Sequence, residues 1–198
     1  MTPASSPGVP DAGNRCVFTT LIGRYKQLNE QPTARQSEVP YLCLTDDPEL
    51  RSETWQVRLV STALELDPIR SQRDLKIRPH LHLADFERSL YIDNGVRLTV
   101  PAEEVFALVP AEAPLAMVPH SFRERVLDEF LAVAELGLDD QGRIFEQLNH
   151  YQLSAPEILD ERPWWTGFLV RDHVGRLVEP VPRHDRLQDT SGCEHVKG

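Results

Sequence analysis

A chain of 198 residues is long enough for one sizeable α/β core and too short for two comfortable ones. Its 40% hydrophobic and 26% charged residues are ordinary for a globular protein, and no apolar run approaches the ~20 residues of a membrane-spanning helix. The net charge of −10 weighs against nonspecific nucleic-acid binding, which needs a basic surface to displace counterions, so any anionic ligand must be held by a local cluster of bases.

Met1 to Asn14 is rich in Pro, Ser, Gly and Ala, with neither a basic start nor an apolar h-region, and reads as a disordered tail rather than a signal peptide. Arg15 to Leu21 predicts a first core strand, broken by Gly23 before the polar stretch from Arg24 to Glu38. Val39 to Thr45 predicts a second strand, closing on Thr45-Asp46-Asp47-Pro48, and Trp55 to Val60 alternates as a third. Cys16, Cys43 and Cys193 are odd in number and widely spaced. That usage fits free thiols in a reducing cytoplasm and argues against structural zinc.

Asp67 followed by Pro68 is a helix start, an acceptor side chain at the cap and then the residue that tolerates the first turn. The helix carries Arg70, Arg73, Lys76 and Arg78, a basic segment in an acidic chain. Arg73 and Lys76 are three apart and share a face, which either grips a diphosphate or lies as a solvated surface. Pro79 ends or kinks the helix. Leu90, Tyr91 and Ile92 then form a strand that stops at Asp93-Asn94-Gly95. In an open α/β sheet ligands collect outside the carboxyl ends of the strands, which puts Asp93 where chemistry is expected. Asn-Gly is equally a hairpin signal, with Val96 to Val100 as the returning strand; the two are compatible.

Leu115 to Val118 predicts another strand, and Ser121-Phe122-Arg123-Glu124 has the form of a capping box. Phe122, Val126, Phe130 and Val133 continue it as a helical stripe until Gly137. His120 at the mouth of that helix is either a ligand contact or a corner residue satisfied by water. Asp139 and Asp140 open a second helix with Ile144, Leu148 and Tyr151 inward and Gln147 at their edge. Trp164 and Trp165 precede a last strand, Phe168 to Arg171, and either stack on a sugar or fill core. From Val174 onward the chain reads as a polar, poorly ordered tail. Walker, Rossmann, zinc-spaced Cys and nucleophile-elbow motifs are missing from the sequence, as is any solenoid repeat.

In order and spacing, several segments resemble the TOD/MUCI glycosyltransferase-like domain family. They are Val17-Phe18-Thr19-Thr20, Val39-Pro40-Tyr41 with Leu44-Thr45-Asp46, Arg73 to His80, Ser89 to Asp93, His120 to Arg123, Gln147 with Tyr151, and Gly167 to His173. The resemblance spans residues 15–173. It implies a GT-A-like α/β three-layer sandwich with a mostly parallel sheet, a nucleotide-sugar donor, and a glycan or other small acceptor. Asp93 would be the acid at the sugar diphosphate, with Asn94 beside it and Thr19, Thr20 and Tyr25 facing base and ribose. His120, as a second catalytic group, Arg123, Trp164 and Trp165 would serve the sugar or acceptor side.

GT-A enzymes use an Asp-x-Asp motif to hold a divalent cation that neutralises the leaving diphosphate. Asp93-Asn94-Gly95 is one carboxylate short. Either Mn or Mg is held by Asp93 with a distant ligand such as His173, or Arg73 and Lys76 take over the screening. The family's further Trp- and acid-bearing segment and its Arg-Asp-Gln motif find no match after His173. The resemblance implies transfer of a sugar from the nucleotide-sugar donor to an unknown acceptor; the alternative is a truncated relative that serves as a noncatalytic nucleotide-sugar or glycan binding module. A strand ending in Asp also opens haloacid-dehalogenase-type phosphatase sites, but those need an acid where Gly95 stands.

Overall fold

The computed structural model describes residues 14–62, 64 and 66–173. The expected tails, apart from Asn14, and Cys193 lie outside the described residues. Three apolar runs become the centre of one sheet: β1 (Arg15–Leu21), β2 (Tyr41–Thr45) and β4 (Arg88–Ile92), each buried along nearly its whole length. Strands buried on both faces read as continuous apolar runs, which is why these three were legible. The short β3 (Gln56–Leu59) and β5 (Leu115–Pro119) form the half-exposed edges, and β6 (Trp164–Asp172) completes the order β3-β2-β1-β4-β6-β5. β3, β2, β1 and β4 pair in parallel, while β6 runs antiparallel to both β4 and β5.

Because successive strand residues point to opposite faces, the sheet carries two cores. Val17, Leu21, Tyr41, Cys43, Leu90 and Ile92 pack with Ala102, Val105 and Phe106 of α2 (Ala102–Ala107). Cys16, Phe18, Leu42, Leu44, Tyr91 and Leu169 pack on the other side with Leu75 of α1 (Pro68–Ile77). The architecture is α/β with helices on both faces of a mixed, mostly parallel sheet. Cys16 and Cys43 are free and buried, and burial pushes the Cys43 thiol up to about 12. No helix among the described residues is long and apolar enough to cross a membrane.

α1 begins as expected, with the Asp67 carboxylate accepting from the Arg70 amide at 2.9 Å. α4 (Gln141–Ser154) is capped by Asp140 in the same way and buries Ile144 and Leu148, while Gln147 is exposed. α2 was not anticipated; six residues are too few to show a helical period.

Two expectations fail. Val96 to Val100 forms no strand, although the Val96 amide does close a turn onto the Asp93 carbonyl at 2.8 Å. β1 and β6 already occupy both edges of β4, leaving a returning strand nowhere to pair. The capping box is not used either: α3 (Val126–Glu135) starts after Arg125, and Phe122 is 84% exposed. The His120 imidazole folds this segment into a turn instead, its Nδ1 accepting from the amides of Phe122 and Arg123 at 3.1 Å each. Gly137 ends α3 at φ +60°, where a Cβ would strain the backbone.

Candidate functional site

β1 and β4 end at the same rim of the sheet, and the loops leaving them are stitched together there. Asn94 Oδ1 accepts from the Asn29 amide at 2.8 Å, Asn94 Nδ2 donates to the Gln27 carbonyl at 2.8 Å, and Asn29 Nδ2 donates to the Asn94 carbonyl at 2.8 Å. Buried Gln31 adds a second tie, donating to the Val96 carbonyl at 2.5 Å and accepting from the Leu98 amide at 3.0 Å. Beside these ties opens a cleft of about 630 Å³. Leu21, Lys26 and Asn29 line it from the β1 side, Gln72 from α1, Asp93 to Val96 from the turn, and Trp165 from β6.

Two side chains hold the Asp93 carboxylate in this cleft. The Tyr91 hydroxyl donates to its Oδ1 at 2.5 Å, and the Lys76 ammonium lies 3.7 Å from the same oxygen. Lys76 also donates to Thr166 Oγ1 at 3.1 Å and sits 4.7 Å from the Tyr91 ring centroid, a cation–π distance. Its side chain is 17% exposed against 44% for Asp93, so the ammonium stands behind the carboxylate. Burial pulls the Lys76 ammonium below its ordinary range, and the neighbouring Asp93 charge opposes that pull. Burial, then the charge of Asp93, pushes the Tyr91 hydroxyl far up, keeping it a donor. Asp93 Oδ2 accepts no hydrogen bond among the described residues.

Gly167 makes this arrangement possible. A Cβ there would stand 2.6 Å from the Trp165 indole and 2.7 Å from Asp93 Oδ2, so the ring and the carboxylate approach each other over bare backbone. Glycine inside a strand pattern is the signal that could have found it.

The other expected residues divide. Tyr25 flanks the cleft, its hydroxyl donating to Gln72 Oε1 at 2.8 Å while Gln72 Nε2 donates to the Thr20 carbonyl at 2.8 Å. Thr19 and Thr20 are fully buried in the central strand and cannot face a base or ribose. Asn94 spends its amide on loop ties, so it shapes the site rather than reading a donor. Arg73 does not line the cleft: it pairs with Asp139 at 2.6 Å, clamping α1 to the connection between α3 and α4.

His120 sits opposite Pro163, just before β6; it does not line the cleft, and its ring is engaged in a turn. Arg123 pairs with Glu129 at 3.1 Å. Trp164, 56% exposed, points to the face opposite Trp165, so only one tryptophan of the pair reaches the cleft.

His173 overturns the metal pairing. Its amide bonds to the Glu87 carbonyl at the start of β4, six residues and about 20 Å from Asp93. Its ring is buried, with Nε2 2.8 Å from Ser89 Oγ and Nδ1 3.0 Å from the Phe86 carbonyl. A nitrogen facing a carbonyl must be the N–H, which leaves Nε2 to accept from Ser89. Burial pulls the imidazole below its ordinary range. Among the described residues, no three His, Cys, Asp or Glu side chains stand close enough to share a metal ion. At Asp93 the donors are one carboxylate with an ammonium already against it, a set that does not fit a protein-held divalent cation.

The chain matches no known family model and no curated protein.

Proposed function

We propose that this domain is a GT-A-like glycosyltransferase whose cleft binds a nucleotide-sugar donor. The observation that supports it best is convergence: the loop after β1, helix α1 and the acid turn after β4 meet at one cleft on the carboxyl rim of parallel strands. The Trp165 indole offers an apolar platform for a sugar face, and Lys26 brings a positive charge to the β1 side for the diphosphate. In transfer, the bond from the anomeric carbon to the diphosphate oxygen breaks, its electron pair leaving with the nucleoside diphosphate. The acceptor hydroxyl oxygen bonds to that carbon, and its proton passes to Asp93 Oδ2.

The test is nucleotide release from a panel of UDP- and GDP-sugars, run with manganese and with EDTA. Asp93→Ala should lose turnover by about 10²-fold or more, the usual scale for a general base. No release and no ligand-induced rise in melting temperature across the panel would defeat the proposal. One observation favours a second reading, a noncatalytic binding module: Gln72 and Asn94 are committed to structure, which leaves few groups to act on a substrate. Calorimetric binding of UDP without turnover selects it.

A further inference from the structure

We propose that Lys76, behind the carboxylate that lines this cleft, is a positioning residue that fixes Asp93 as a one-oxygen acceptor and takes the place a divalent metal would need. The ligand then binds without a metal. Asp93 Oδ1 is occupied twice, by the Tyr91 hydroxyl at 2.5 Å and by the Lys76 ammonium at 3.7 Å. Thr166 Oγ1, 3.1 Å from Nζ, and the Tyr91 ring face, 4.7 Å away, hold the ammonium from two further sides. An ammonium so enclosed is not displaced by a hydrated ion without stranding a charge on a largely buried side chain.

A divalent ion at Oδ2 would sit on the same carboxylate as that ammonium and meet its repulsion in a partly dehydrated setting. A metal site also needs several oxygen ligands. The nearest side-chain oxygen in the sequence, Asn94 Oδ1, is already engaged by the Asn29 amide. What remains for a ligand is Oδ2 alone, beside the Trp165 indole and with no Cβ at Gly167 between them. Such a pair suits a hydroxyl donor on a ring with an apolar face, which is the sugar chemistry already proposed.

The inference rests on the proposed donor site for the identity of its ligand, but its test does not. Mn²⁺ alone, titrated into the full chain and followed by the loss of the free-ion electron paramagnetic resonance signal, should show no binding tighter than millimolar. Lys76→Met should tighten Mn²⁺ binding about tenfold or more, the charge repulsion being gone, and Asp93→Asn in that background should abolish the gain. Lys76→Arg, which keeps the charge, should stay silent. Micromolar Mn²⁺ binding by the unaltered chain that Asp93→Asn removes would overturn the inference, and needs no variant of Lys76 to be seen. So would a folded Lys76→Met protein that gains nothing. Failure of the donor reading shows separately, as silence in the nucleotide-sugar panel with or without manganese.

Discussion

At the residue scale, the strand end before Asp93 was legible and the setting of its carboxylate was not. An apolar run that ends in an acid announces a strand end whatever surrounds it, and Lys76 belonged to a visible basic segment. What sequence spacing cannot show is which charges are already matched. Arg73 and Lys76 share a helix face, yet one is spent on Asp139 and the other on Asp93. Gly167 carries its own consequence. Gly167→Ala forces the Trp165 ring or the Asp93 carboxylate to move, and should cost about 1–3 kcal/mol of stability, as overpacking does. It should also shift the tryptophan emission. Adding Trp165→Phe removes the ring atoms that a Cβ would meet and should recover part of the loss. A Gly167→Ala protein with unchanged emission and melting temperature would show that the ring and the acid do not close over this backbone.

At the element scale, strands and capped helices were readable where local chemistry had no competitor. Asp67 and Asp140 each cap a helix as their neighbours imply. Ser121 does not, because His120 Nδ1 ties the Phe122 and Arg123 amides into a turn and the helix starts only at Val126. The Asn-Gly hairpin failed for a nonlocal reason, the arrival of β6 at the edge of β4. The clamp between α1 and the α3–α4 connection was invisible for the same cause, since its partners are far apart in sequence. Arg73, through its hydrogen bond, lowers the Asp139 carboxyl from 3.8 to about 2. The unfolded chain therefore takes up this proton first as pH falls. The contribution of the clamp is full above pH 3.8 and is lost as pH drops towards about 2. Asp139→Asn should lower the urea midpoint at pH 7 and leave it nearly unchanged at pH 2. An equal loss at both pH values would mean that the carboxylate charge is not what holds the two parts together.

At the scale of the molecule, the two ends of the sheet differ in chemistry. Its carboxyl rim carries the cleft, while the opposite end is closed by buried polar contacts: His173 with Ser89 and the Phe86 carbonyl, and Arg88 with Asp172 at 3.0 Å. Reading His173 as a metal ligand for Asp93 required both ends of β4 to meet, which the antiparallel register of β6 forbids. The same register makes His173 a latch on the last strand. Burial disfavours the charged form of its imidazole in the fold, so the unfolded chain binds the proton more readily. Stability from this residue is complete above pH 6.5 and falls as pH drops below it. We expect the urea midpoint to be lower at pH 5.5 than at pH 7.5, and the difference to shrink in His173→Gln. Some difference should persist, because burial also lowers the His82 imidazole. Asp93→Ala, at the other rim, should leave the pH dependence untouched. If His173→Gln keeps the full difference, or Asp93→Ala alters it, the two ends of the sheet are not independent and the latch is not where the proton acts.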